Sequence, residues 1–117
     1  MEQITLPKCV ASNSSQSHIR FVLKLTGFLH QFEGKIYSCY DVPRPKPFPD
    51  VYLHAAEQMN TNPEHCVVIE DSVPGVQAGF AAGMTVFGYA QHSDGTALTA
   101  AGAKIVFNDM RELSQLL

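Results

Sequence analysis

Cys66-Val67-Val68-Ile69-Glu70-Asp71-Ser72-Val73-Pro74-Gly75-Val76-Gln77-Ala78-Gly79 decides the fold. The run from Cys66 to Ile69 is apolar and too short for a buried helix, so it predicts a buried strand. It ends abruptly in Glu70-Asp71-Ser72. Pro74 follows at a place that the first turn of a helix tolerates. Val76, Phe80 and Ala81 then line one predicted helix face, and Gly83 stops the helix. Thr85-Val86-Phe87-Gly88-Tyr89 predicts the next strand. Gly75, Gly79 and Gly83 are spaced for close packing of the helix on a sheet, and no Gly-x-Gly pattern precedes them to suggest a nucleotide loop.

The same alternation extends both ways. Downstream, a short helix around Ala97 to Ala101, a strand at Lys104 to Phe107 and a helix from Asp109 to Leu117 complete the chain. Upstream, the short run Lys8 to Ala11 predicts a strand that feeds Ser12-Asn13-Ser14-Ser15. From Ser15 the apolar positions Ile19, Val22, Leu23 and Leu25 take helical spacing until Gly27. Lys35 to Asp41 predicts a second strand. Val42 to Asp50 carries prolines at 43, 45, 47 and 49, which no helix interior accepts. That segment predicts a stiff, extended loop. Phe48, Tyr52, Ala55, Ala56 and Met59 restart the helical period, with Asp50 in the first turn, where the helix dipole favours an acid. Tyr37, Tyr40, Phe80 and Phe87 read as core residues, and Cys9 and Cys66 as small buried apolar groups at strand starts.

Strands alternating with helices imply an α/β fold with a largely parallel sheet. Ligands of such sheets bind beyond the carboxyl ends of the strands. Two predicted strands end in polar clusters, Ser12-Asn13-Ser14 and Glu70-Asp71-Ser72. That coincidence is the physical pointer to a site.

Composition narrows the function. The chain has 117 residues, 45% of them apolar, which suits one domain with a real core. Eight basic residues stand against 11 acidic ones, a net charge of −3, so neither nucleic acid nor an anionic membrane is an expected partner. No apolar run approaches membrane-helix length, and no signal peptide opens the chain. Cys9, Cys39 and Cys66 are isolated and odd in number, against a disulfide framework or a four-cysteine zinc site. A reducing cytoplasm is the expected compartment. The five histidines show no paired spacing on one helix face.

Three groups of residues carry chemistry. Adjacent acids such as Glu70 and Asp71 repel unless a cation neutralises them, and carboxylates suit magnesium. The plainer alternative is that Asp71 or Ser72 caps the following helix. Ser12, Asn13 and Ser14 offer hydroxyls and N–H groups at a helix start, suited to phosphate, or else serve as ordinary turn residues. Lys46, stiffened by a proline on each side, is placed to neutralise a phosphate oxygen, or else is a solvated loop lysine. Taken together, phosphate-gripping hydroxyls, a lysine and acids for magnesium make up most of a phosphoryl-transfer site.

In this order, Val10-Ala11-Ser12-Asn13-Ser14, Arg44-Pro45-Lys46-Pro47-Phe48-Pro49-Asp50 and Val67 to Gly79 resemble the haloacid dehalogenase superfamily. The resemblance runs from about Lys8 to Tyr89 and is nearest the branch of β-phosphoglucomutase and sugar-phosphate phosphatases. It implies a three-layer, Rossmann-like, mostly parallel sheet flanked by helices. It also implies that Ser12 binds the phosphoryl group with Asn13 and Ser14, and that Lys46 neutralises it. Glu70 and Asp71 become the magnesium motif, Asp71 foremost, so the implied catalytic set is Ser12, Lys46 and Asp71. The implied activity is magnesium-dependent hydrolysis of a phosphoric monoester, with a small phosphorylated sugar or sugar acid as the implied substrate. A mutase-type phosphotransferase, a non-catalytic phosphate- or magnesium-binding regulatory module and a proline-loop interaction protein are the alternatives.

The sequence departs from the family in one respect. The family's Asp-x-Asp-Gly motif, whose first Asp is phosphorylated, has no counterpart; Asp94-Gly95 follows Gln91-His92-Ser93, not an apolar strand. Nor is there room for the family's helical cap. Residues 1–117 thus read as one partial core domain lacking its first, central strand, with Ile4 and Leu6 as the tail of a preceding amphipathic element. The expectations are little or no turnover by this chain alone, and self-association across the gap left by the strand.

Overall fold

The computed structural model describes residues 7–90 and 95–116. Ile4, Leu6, His92, Asp94 and Leu117, all used in the sequence reading, lie outside them. Strand β1 (Val10–Ser12) leads through Ser12-Asn13-Ser14-Ser15 into helix α1 (Gln16–Thr26). Ser15 caps that helix by accepting from the His18 N–H, and Gly27 ends it in the left-handed region at φ 83°. A short helix α2 (Leu29–Phe32), which the sequence reading omits, precedes strand β2 (Ile36–Ser38). Helix α3 (Asp50–Gln58), strand β3 (Val67–Glu70), helix α4 (Val73–Ala81) and strand β4 (Thr85–Tyr89) follow. Helix α5 (Thr96–Ala101), strand β5 (Ile105–Phe107) and helix α6 (Leu113–Leu116) complete the order.

Among the described residues all strand pairings are parallel, in two sheets: β1 with β2, and β3 with β4 with β5. Register pairs Ser12 with Ser38 and Glu70 with Gly88. The break falls between β1 and β3, where the resemblance implies a strand. One core nevertheless spans both sheets, joining Tyr37 of β2, Val51, Tyr52 and Ala55 of α3, Val76 of α4, and Val68 and Val86 of β3 and β4. Because strand side chains alternate, the neighbours of these residues face the other way. Ile36 packs with Ile19 and Phe32, and Phe87 with Phe107 and Leu113. Helices therefore cover both faces of parallel strands, the three-layer α/β arrangement expected. No helix among the described residues is long and apolar enough to cross a membrane.

Several expectations are corrected. The second strand stops at Ser38, because Ser38 and Asp41 form a reciprocal cap that winds Cys39–Asp41 into a 3₁₀ turn and leaves Tyr40 78% exposed. On α1 only Ile19 is buried; Leu25, six residues on, lies about 240° round the helix and is exposed. Phe48 precedes α3 rather than starting it, and lies beneath the Arg44 guanidinium, 4.4 Å from it. Of the Cys66–Ile69 run, only Val68 is fully buried. Val67 is 43% exposed. Cys9 and Cys66 are half-buried against the core, and Cys39 is buried.

The buried stripe of α4 is Gly75, Val76, Ala78 and Gly79, not Val76, Phe80 and Ala81. Close approach is the reason. A Cβ on Gly79 would lie 2.7 Å from the Val86 Cγ2 atom, so the smallest residues face the sheet and Phe80 turns outward.

Candidate functional site

Lys46 joins the two sheets. Its Nζ donates to the Ala11 carbonyl on β1 at 3.1 Å and to Glu70 Oε2 at the end of β3 at 2.9 Å. Both side chains are about a tenth exposed, so this is a largely desolvated ion pair. The loop backbone is tied down as well. Lys46 N–H donates to Asn13 Oδ1, and Arg44 pairs with Asp50 at the start of α3. The proline-stiffened lysine is thus a fixed, inward-pointing cation.

Glu70 is held at every turn. Oε2 also accepts from the Tyr52 hydroxyl at 2.7 Å. Oε1 accepts from the Asp71 N–H, and from the N–H and hydroxyl of Ser72. The carboxylate folds back against the first turn of α4, where a Cβ on Gly75 would meet it at 2.0 Å. Negative charge is favoured there by the helix dipole. Ser72 is the cap of α4, its Oγ accepting from the Gly75 N–H. Of the two capping candidates, Ser72 takes the role.

Electrostatics separate the two acids. Burial raises Glu70, but the Lys46 charge and the hydrogen bonds from Tyr52 and Lys46 outweigh it, and its carboxyl sits below the usual range. Desolvation, then the bond to Glu70 and its charge, push Asp71 up. Burial above all, followed by the charge and hydrogen bond of Glu70, raises Tyr52 well beyond the usual phenol range, so its hydroxyl stays a donor.

At the end of β1, Ser12 Oγ accepts from the Ser14 N–H, which turns the hydroxyl proton away from that amide. The Ser14 carbonyl accepts from Ser38 Oγ at 2.5 Å. Ser38 is completely buried, and Gln16 Nε2 ties the start of α1 to the Ile36 carbonyl and to Asp41. The Ser12–Ser14 turn is therefore braced from below.

The fold thus brings β1's end, the proline loop and β3's end together through Asn13, Lys46 and Glu70. Asp71 lies next to this cluster and is exposed. The sequence reading missed Ser38, Tyr52 and Gln16 as supports. Tyr52 enters the sequence reading only as one apolar position of a helical period.

As for magnesium, no group of three or more His, Cys, Asp or Glu side chains converges among the described residues. Magnesium asks less of a protein, taking one or two carboxylates with waters and phosphate oxygens. Asp71 fits as one such ligand, while the Glu70 carboxylate is occupied by protein donors. An open groove of about 430 Å³, lined in part by Asp41, Arg44, Asp50 and His54, is not lined by Ser12, Lys46, Glu70 or Asp71.

Comparison with known proteins identifies the family. The chain is 42% identical over 87 residues to the 6-phosphogluconate phosphatase of Escherichia coli K12, covering 74% of this chain and 39% of that protein. A conserved haloacid dehalogenase-like protein from Agrobacterium tumefaciens superposes with TM-score 0.93 at 38% identity, over 98% of this chain and 55% of its own. A haloacid dehalogenase family hydrolase from Deinococcus radiodurans, solved with bound phosphate and sodium, superposes with TM-score 0.86 at 37% identity, over 92% and 50%. The chain thus spans about two fifths to one half of these relatives. With the family model for haloacid dehalogenase-like hydrolases matching residues 2–83, the chain belongs to that family.

Proposed function

We propose that this chain carries the phosphate-gripping and metal-binding side of a magnesium-dependent phosphomonoesterase site for a small phosphorylated sugar or sugar acid. One observation carries the reading: the buried Lys46 ammonium is held between the ends of β1 and β3, beside the Ser12 turn and the Asp71 carboxylate. In this reading the Ser12 hydroxyl, whose oxygen the Ser14 N–H holds, binds the phosphoryl oxygens together with the Asn13 N–H and the Ser14 side chain. Lys46 offsets their charge, and Asp71 holds the ion. Bound magnesium would supply charge stabilisation at the phosphoryl oxygens. Glu70 fixes the lysine rather than competing for substrate. The substrate class follows the name of the Escherichia coli relative and belongs to the proposal.

No Asp-x-Asp pattern occurs in the 117 residues, so the covalent step of the family lacks its nucleophile within this sequence. Binding is accordingly the property to measure. Calorimetric titration with orthophosphate and magnesium should show binding that Ser12→Ala weakens at least about tenfold, the loss of a charge-assisted hydrogen bond. Asp71→Asn should remove the magnesium dependence of that binding. Hydrolysis of a generic phosphomonoester should stay at the level of the Asp71→Asn control. No orthophosphate binding, or binding indifferent to both substitutions, would overturn the proposal.

A further inference from the structure

The position of Lys46 depends on contacts through other side chains, and those contacts lead through Glu70 to Tyr52. Tyr52 is 7% exposed, in the first turn of α3, and belongs to the same buried cluster as Val51, Ala55 and Ala56. A tyrosine there could serve as packing only, and then its hydroxyl would be a burden needing a partner. Instead its hydroxyl donates to Glu70 Oε2 at 2.7 Å, the same oxygen that receives Lys46 Nζ at 2.9 Å. Its ring also carries the Lys46 Nζ 4.9 Å from its centroid, within cation–π reach. One side chain thus meets both partners of the ion pair, the cation through its face and the anion through its hydroxyl.

We propose that Tyr52 is a positioning residue for phosphate recognition, holding Glu70 by its hydroxyl and Lys46 by its ring. The lysine ammonium is thereby fixed between the Ala11 carbonyl and Glu70. A long amine otherwise samples many rotamers, and fixing it before the ligand arrives removes an ordering cost from binding. Tyr52 touches no substrate in this account. The proposal rests on the reading of Lys46 as the phosphate-neutralising group, but its geometry stands apart from that reading and is tested separately.

The test is nuclear magnetic resonance of the Lys46 side-chain ammonium in the 117-residue protein, with orthophosphate affinity measured alongside. In the wild-type protein the Lys46 ammonium protons should exchange with water at least tenfold more slowly than those of Lys24, on the outer face of α1. Tyr52→Phe keeps the ring and removes the hydroxyl. It should speed Lys46 exchange by threefold or more and weaken orthophosphate binding three- to tenfold, with the fold intact by amide spectrum. A role confined to packing would leave the ammonium unmoved. The wild-type protein also gives a reading that needs no variant: a slowly exchanging Tyr52 hydroxyl proton with a cross-peak to the Lys46 ζ protons.

A Lys46 ammonium that exchanges as fast as Lys24's, no such cross-peak, or a Phe variant with unchanged Lys46 exchange would each overturn the proposal. If the wild-type protein binds no orthophosphate while these exchange results hold, the reading of the site as a phosphate binder fails and the positioning by Tyr52 stands.

Discussion

At the scale of single residues, the account turns on charges that the fold has paired in advance. Lys46 and Glu70 are each about a tenth exposed, and removing one partner strands the other away from water. Lys46→Met should therefore lower unfolding free energy by about 3 kcal/mol in urea titration. A loss under about 1 kcal/mol would place the pair among weak surface bridges. A second residue-scale prediction concerns Cys9. Burial, then the neighbouring Cys66, holds its thiol above its ordinary value. The folded protein keeps that proton at pH values where the unfolded chain has lost it, so the folded state binds more protons and stability falls as pH rises past the ordinary thiol value. Urea midpoints should decline above about pH 8.5, and Cys9→Ala should delay the onset. A midpoint that is flat to higher pH, or equally steep in the alanine variant, would contradict this.

The residues proposed to carry chemistry are legible because their types are informative in order: hydroxyl turn, proline-held lysine, acids after an apolar run. Their supports are not. Ser38 reaches Ser14 across 24 residues and Tyr52 reaches Glu70 across 18, and neither contact leaves a local pattern.

Among the elements, α4 shows most clearly how packing overrides an apolar count. Its faces were misphased in the sequence reading because Phe80 outweighs glycine on any hydrophobicity scale, yet only glycine lets the helix approach Val68 and Val86. Gly79→Ala should cost about 1–3 kcal/mol through overpacking, seen as a lower urea midpoint. Gly75→Ala should act differently. Its Cβ would take the place of the Glu70 carboxyl, so the variant should also speed exchange at the Lys46 ammonium. Equal effects of both substitutions on Lys46 would contradict the account. Helix α1 and strand β3 were placed well because Ser15, Gly27 and Pro74 punctuate the chain there. The β2 boundary was missed because the Ser38–Asp41 cap competes with the sheet for the same backbone groups.

For the molecule as a whole, the parallel α/β class followed from the alternation of apolar runs and helical periods, and the split into two sheets fits the resemblance to a core without its central strand. We propose that the facing edges of β1 and β3, with Val67 43% exposed, draw copies of this chain together. Sedimentation equilibrium should show mass rising with concentration, and a monomer at all concentrations would contradict it. The central claim is that Ser12, Asn13, Ser14, Lys46 and Asp71 form one phosphate site. It is tested most directly by following every backbone amide during titration with orthophosphate and magnesium. The account predicts the largest shifts at Ser12 to Ser14, Lys46 and Asp71. Shifts centred on the groove at Arg44 and His54, or none at all, would contradict it.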